Sequence, residues 1–484
     1  MGLPVERSEF IKWIEYILME IKIRKSDIIW GYVATFFQIA SGLIVLPFIL
    51  RMLSPEEIGL NYLMTTIATM IALVDFGFAP QFGRNISYLF SGAQKLQKEG
   101  VNNVTSDSIN YHLIATMIEV AKMVYKRLSV VVLFLMSIFG TFYIYKVTSG
   151  FKTVENSLII WILFCFSTFF NMYFSYYNSL LTGRGLINEC KKSILANRIV
   201  YIILSIVLLY LGFGLLGTCI AQLISPFIGR YLSYRYFFDS TMLKNLCDQN
   251  VKHSEIVSTF KTIWYNSKKL GINLIGTYCI NKFGMFLSGL YLTLDQVASY
   301  GLMIQLSGII ITLSTTMLYT NEPKLASIIV SGDKVKLLKE FSFQITSFHC
   351  LAIIGTIGLV LLGPWIVELI NSKTSLPDLS IIALYMIVLI LEQNHSASAV
   401  LITLFNEVPF IKSALTAAAL IVIMSWISLK FFSFGILGLV MAQGACQLLY
   451  NNWKWPIEAY KLIGSNPICG EMIGIKEIFV KITK

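Results

Sequence analysis

The stretch Phe213-Gly-Leu-Leu-Gly-Thr-Cys-Ile-Ala-Gln222 returns 221 residues later as Phe434-Gly-Ile-Leu-Gly-Leu-Val-Met-Ala-Gln443. Each copy opens an apolar run, 214–237 and 434–453. Such runs are long enough to cross a bilayer, which takes about 20 mostly apolar residues. A looser pair lies upstream of each copy. Leu53-Ser-Pro-Glu-Glu-Ile-Gly-Leu-Asn-Tyr-Leu-Met64 returns 239 residues later as Leu292-Thr-Leu-Asp-Gln-Val-Ala-Ser-Tyr-Gly-Leu-Met303. Two pairs in one order, at equivalent runs, read as a duplication. The change of spacing places the extra length of the first copy between the blocks, where 83–127 lies.

Working outward from these runs, the sequence predicts twelve spans: 28–50, 58–80, 128–148, 157–181, 193–212, 214–237, 270–292, 296–319, 341–370, 379–404, 410–431 and 434–453. The ninth is overlong, which predicts tilt or an interfacial extension. Composition agrees, because 56% of the residues are hydrophobic and 13% charged, against about 25% charged in soluble domains. The net charge of +11 has its explanation in topology rather than in nucleic acid. Basic residues crowd the even-numbered loops, including Arg84, Arg127, Arg184, Lys191, Lys268, Lys269, Lys324 and Lys339, while the odd-numbered loops offer Arg51, Lys146, Lys152, Lys373 and Lys430. By the positive-inside rule both termini are cytoplasmic.

The expected fold is therefore an all-α polytopic membrane protein of two six-helix lobes, residues 1–240 and 241–455, with 456–484 as a cytoplasmic tail. An even helix count relates the lobes by an axis along the membrane normal, and such V-shaped bundles work by alternating access at the lobe interface. The eight cysteines contain no CxxC pair and sit mostly in apolar runs, so no disulfide, metal or cofactor is expected. The longest soluble stretches, 83–127 and 238–269, carry no Gly-rich phosphate loop and no Ser/His/Asp pattern. The outward loops are too short to hold a catalytic domain.

Met52-Leu-Ser-Pro-Glu-Glu-Ile-Gly-Leu60 and Asp75-Phe-Gly-Phe-Ala-Pro-Gln-Phe-Gly-Arg84 resemble the polysaccharide-repeat (O-antigen type) flippases. That family belongs to the multidrug/oligosaccharidyl-lipid/polysaccharide exporter superfamily. Asn281-Lys282-Phe283 before Val297-Ala-Ser-Tyr300 also fits, except that the family often has an acidic residue where this chain has Asn281. The resemblance implies a bacterial inner-membrane protein. It would move an undecaprenyl-diphosphate-linked oligosaccharide from the cytoplasmic to the periplasmic leaflet. It also implies other polysaccharide-assembly membrane proteins as partners.

Charges at bilayer depth are costly and mark pathways, pairs or coupling sites. Lys282 lies about 18 Å into the seventh span at 1.5 Å per residue, too deep for easy snorkelling. It suits a diphosphate or acidic sugar in a central cavity, or a pair with a carboxylate such as Glu392. Arg198 and Arg230 lie near the basic ends of the fifth and sixth spans, Arg84 ends the second, and Lys268 and Lys269 stand at the mouth of the seventh. They are read first as snorkelling or ordinary positive-inside residues, with a cationic opening to the cavity as the functional alternative. Asp75 is a candidate coupling group or an Arg84 partner. Glu392 and His395 share a helical face and are candidates for proton coupling or for a fixed hydrogen-bonded pair. The first-half equivalent of Glu392 is Asn171. The aromatic run 171–178 suits sugar stacking or helix packing.

Three function classes compete. A lipid-linked oligosaccharide flippase needs a cationic polar path; an ion-coupled exporter of cationic drugs needs an acidic one. A membrane enzyme of polysaccharide assembly needs a large outer loop. The deep charges lean cationic, which favours the flippase.

Overall fold

The computed structural model describes residues 42–96, 109–247, 249–405, 407 and 409–482. Residues 28–41 of the first expected span, the N-terminal basic residues and the side chain of Lys269 lie outside the described residues. The described chain is almost wholly helical. Its elements are α1 (Gly42–Met52), α2 (Pro55–Ile71), α3 (Phe78–Phe90), α4 (Tyr111–Val147), α5 (Ser157–Gly183), α6 (Ile187–Tyr210), α7 (Gly214–Phe237), α8 (Ser240–Cys247) and α9 (His253–Asn281). After them come α10 (Phe283–Tyr291), α11 (Leu294–Thr320), α12 (Glu322–Ser331), α13 (Lys334–Leu369), α14 (Leu379–Leu404), α15 (Ile411–Phe431), α16 (Gly435–Leu448), α17 (Asn451–Leu462) and α18 (Pro467–Ile482).

Nine helical stretches among the described residues are long and apolar enough to cross a membrane. Three expected spans fall outside that set. The first is described only from Gly42, the seventh is broken at Lys282, and the helix of the twelfth stops at Leu448. The long helices present bare apolar side chains outward, among them Phe134, Phe139, Phe142, Leu361 and Trp365. Such a surface matches a lipid solvent and makes this a multi-pass membrane protein.

The duplicated blocks build the same local structure twice. Ser54 and Glu57 form a capping box at the start of α2: Ser54 N donates to Glu57 Oε2 at 2.9 Å and Glu57 N to Ser54 Oγ at 3.2 Å. Their counterparts at the 239-residue spacing, Thr293 and Gln296, do the same for α11, with bonds of 3.2 and 3.3 Å. Downstream, Gly214 and Gly435 both take positive φ, +53° and +58°, where the chain turns into α7 and α16. A side chain would strain that turn.

The two copies also meet. Tyr62 and Gly301 occupy equivalent positions, and the Tyr62 ring packs so closely on Gly301 that a Cβ there would overlap it. Gly59 likewise lies against the backbone carbonyl of Leu294. Equivalent positions can touch each other only where a two-fold relation passes between them, so the pseudo-axis runs between α2 and α11. Further contacts at the end away from the basic loops close the two halves on each other. Tyr143 Oη donates to Phe286 O at 2.8 Å, and Lys373 Nζ donates to Met52 O at 3.1 Å.

Three expectations change. The second span is not continuous. After a 3₁₀ turn at Ala72–Asp75, Phe76 and Gly77 take φ of +47° and +72° before α3 begins. Gly77 allows the break, and Asp75 stabilises it by accepting from Ala79 N at 3.2 Å and from Tyr125 Oη at 2.7 Å. Second, 83–127 and 238–269 are not solvated loops where described. Phe82, Ile86, Ile118, Tyr125, Tyr177, Phe237, Met242 and Ile263 bury one another in a separate core at the basic end. Third, the stretch expected as a tail is folded. α18 lies along α13, with Glu471 accepting from Thr346 Oγ1 at 2.9 Å and contacting His349 Nδ1 at 2.8 Å.

Candidate functional site

A cavity of about 510 Å³ lies between the halves, next to the Tyr62–Gly301 contact. One wall is the stripe Asn61, Tyr62, Thr65, Thr66 and Thr69 of α2, whose spacing puts these side chains on one helical face. The opposite wall is Gln305, Gly308 and Thr312 of α11, again one face. Tyr62 Oη donates to Gln305 Oε1 at 2.6 Å, tying the walls together. Tyr278 Oη reaches Thr66 O at 3.3 Å.

Lys282 and Asn281 complete the polar part of the lining, at the joint of α9 and α10, and Val45, Ile49, Met285 and Ile304 make the rest of the wall apolar. Lys282 is the break itself. Its N–H still donates to Tyr278 O at 2.8 Å, but its φ of −126° turns the chain out of the helix. A broken span exposes backbone and a polar side chain to a cavity rather than to lipid, the one setting where membrane interiors tolerate irregular backbone. Among the described residues the lining contains one cation, Lys282, and no carboxylate. Such a surface offers hydroxyls and amides to a polyhydroxylated head and one positive charge to an anion.

Beside this polar cavity runs an apolar groove of about 400 Å³, formed by α1, α11 and α13. Leu43, Pro47, Leu306, Ile310 and Leu362 line it, and Leu46 and Ile309 face both spaces. A polar chamber and an apolar groove thus share a wall.

The structure does not gather the five candidate cations whose side chains it describes. Lys282 alone of them lines the central cavity among the described residues. Arg198 and Arg84 are exposed, and Arg84 donates to Gln81 at 2.6 Å. Lys268 is exposed beside the Tyr265 ring. Arg230 lines a separate, smaller cavity within the first half. Which helix face each cation occupies relative to the central cavity is not revealed by the linear sequence. Asp75 has Tyr125 and the α3 backbone as partners rather than Arg84. Glu392 is buried, accepts from Gln443 Nε2 at 2.7 Å, and is paired with neither Lys282 nor His395. His395 Nδ1 instead meets Asn452 Oδ1 at 2.8 Å. In the aromatic run, Tyr176 and Tyr177 are packed in the basic-end core and Phe174 faces Arg230.

Sequence reading missed the α2 and α11 stripes. The signal was present: hydroxyl and amide residues recurring every three or four positions within apolar spans.

No family model matches the chain, and no curated protein matches its sequence. Solved structures do match. An inward-facing multidrug resistance MATE family transporter of the MOP superfamily aligns with a TM-score of 0.61 at 14% identity, covering 93% of this chain and 96% of that one. The lipid II flippase MurJ, in an inward closed conformation, aligns with a TM-score of 0.60 at 14% identity, covering 93% of this chain and 91% of that one. The chain shares its fold with these two proteins. At this identity the likeness extends to the fold, and the site must be read from this chain's own residues.

Proposed function

We propose that this chain is a flippase that carries a prenyl-diphosphate-linked oligosaccharide across the bilayer by alternating access. The observation that carries the reading is the shared wall: a polar cavity holding Lys282 beside an apolar groove. A lipid-linked sugar has the same two parts. Its head cannot cross hydrocarbon without a polar path, while its tail needs apolar surface. Lys282 takes the diphosphate, the α2 and α11 stripes take the sugar hydroxyls, and the α1–α11–α13 groove takes the start of the prenyl chain. The absence of a carboxylate among the described lining residues speaks against a cationic drug as the cargo. The basic loops support cytoplasmic termini and the family resemblance a bacterial inner membrane, and on that reading the closed end faces the periplasm. Glu392, buried within the second half, is the leading coupling candidate of the set Asp75, Glu392 and His395, and on this reading it exchanges its bond to Gln443 for a proton or cation during transport. Undecaprenyl diphosphate and an O-antigen type repeat are the cargo that the family resemblance names.

The test is translocation in proteoliposomes of a fluorescent prenyl-diphosphate oligosaccharide, read by protection from an impermeant lectin. Lys282→Ala removes a charge-assisted contact worth about 1.5–3 kcal/mol and should slow transport at least tenfold. Wild-type protein that moves no such lipid, with or without an ion gradient, overturns the reading.

A further inference from the structure

A second, partly open cavity lies within the first half, bounded by α5, α6 and α7, and shares no lining residue with the central one. It has a volume of about 100 Å³, room for a few waters or one tetrahedral oxyanion. Its walls are mixed: Asn171, Asn178, Ser193, Asn197 and Ser233 line it together with Arg230, beside Phe174, Tyr177, Ile194 and Pro226. Two backbone features make the space. Gly229 lets α7 approach Asn197, whose Cβ lies 3.1 Å from where a side chain would begin. Pro226 cannot donate to Gln222 O, and the Ser167 hydroxyl takes that carbonyl instead at 2.8 Å.

Arg230 has neither a carboxylate nor a hydrogen-bond acceptor among the described residues. Its guanidinium carbon lies 5.2, 5.3 and 5.9 Å from the rings of Phe174, Tyr177 and Tyr234. Those faces hold the planar group without using its five N–H donors. A half-buried cation with unused donors, set among amide and hydroxyl donors, is built to receive oxygen acceptors. The second half shows what a satisfied version looks like. At the 221-residue spacing Arg230 corresponds to Asn451, which donates to Gln447 Oε1 at 2.8 Å and accepts from Trp455 Nε1 at 3.0 Å.

We propose that the α5–α6–α7 cavity is an anion site for a phosphate group, held by Arg230 with Asn197 and Ser233. Arg230 stands about 10 Å from the basic end of α7 at 1.5 Å per residue. A headgroup phosphate of an anionic lipid and a free phosphate or diphosphate both reach that depth. The site is independent of the transport reading, which rests on Lys282.

The test uses the full chain carrying Lys282→Ala, so that anions in the central cavity are not counted. One arm titrates inorganic phosphate and pyrophosphate by calorimetry at low ionic strength. The other measures retention of phosphatidylglycerol against phosphatidylcholine by native mass spectrometry. Adding Arg230→Gln should weaken inorganic anion binding at least tenfold, which assigns a free anion, or abolish selective phosphatidylglycerol retention, which assigns a headgroup. Arg198→Gln should change either by less than about twofold, as expected for an exposed charge. Should Arg230→Gln fail to fold, Asn197→Leu with Ser233→Ala tests the facing wall with the same expected loss. Binding and retention that are absent, or unchanged by these substitutions, overturn the proposal.

Discussion

The first half holds an open polar nest and the second half a closed one, at positions equivalent by the 221-residue spacing. In the first, Asn171 donates back to its own helix at Ser167 O, 3.0 Å away, and Arg230 is left facing a cavity. In the second, the counterpart of Asn171 is Glu392, bonded at 2.7 Å to Gln443 on a neighbouring helix, and the counterpart of Arg230 is bonded on both sides. The duplication kept the scaffold and let the charges diverge. One nest is spent on holding helices together, and the other leaves the donors of Arg230 unspent. The same divergence marks the central cavity: the position equivalent to Lys282 at the 239-residue spacing is Leu43, which lines the apolar groove.

The comparison can be broken at its axis. Gly301→Tyr sets a ring against Tyr62 and should cost more than about 3 kcal/mol, the upper range for overpacking, read as loss of folded protein by fluorescence-detected size exclusion. Exchanging both residues, Tyr62→Gly with Gly301→Tyr, places one ring and one glycine on either side of the axis again. The double variant should recover much of the yield, because contacting residues couple. A double variant no better than Gly301→Tyr would falsify the two-fold relation at this contact.

The nests provide the next largest effect. Glu392→Ala leaves buried Gln443 without its partner and should lower stability by about 1–3 kcal/mol. Asn171→Ala loses a bond within its own helix and should cost about 0.5–1.5 kcal/mol. Thermal unfolding in detergent compares the two, and equal losses would mean that the second-half nest is not a tie between helices.

The smallest difference is between the two caps. Glu57 serves Ser54 N and also accepts from Leu215 N at 2.9 Å, at the start of α7, whereas Gln296 serves only its own box among the described residues. Glu57→Ala should cost about 1–2 kcal/mol and Gln296→Ala about 0.5–1 kcal/mol, within the range for lost caps. Thermal unfolding of both variants reads the order, and a reversed order would show that the bond to α7 contributes nothing.

Much of the scaffold was legible before the structure. The bounds predicted for the sixth and tenth spans, 214–237 and 379–404, coincide with α7 and α14. The blocks at Leu53 and Leu292 fold as equivalent helix starts. Both features are local: apolar length decides where a chain can cross lipid, and a capping box needs four consecutive residues. The break in the second span also had a local sign, Asp75-Phe-Gly77 followed by Pro80, which the apolar count concealed.

The site was legible only in part. The depth of Lys282 in its span left it either a cavity or a carboxylate partner, and in the structure it lines the central cavity. Arg84, Arg198 and Arg230 were indistinguishable from it by residue type, yet their helices turn them elsewhere. The helix faces that meet are set by packing between segments far apart in the chain, as where Tyr62 bonds Gln305 across 243 residues. By itself the sequence determined an all-helical, duplicated membrane bundle, because hydropathy, caps and repeats act within a few turns. Only the tertiary structure decided which polar groups converge on a cavity, which are spent on one another, and which one is left with its donors free. Those outcomes depend on the rotation of each helix about its axis, and every neighbour in the bundle constrains that rotation.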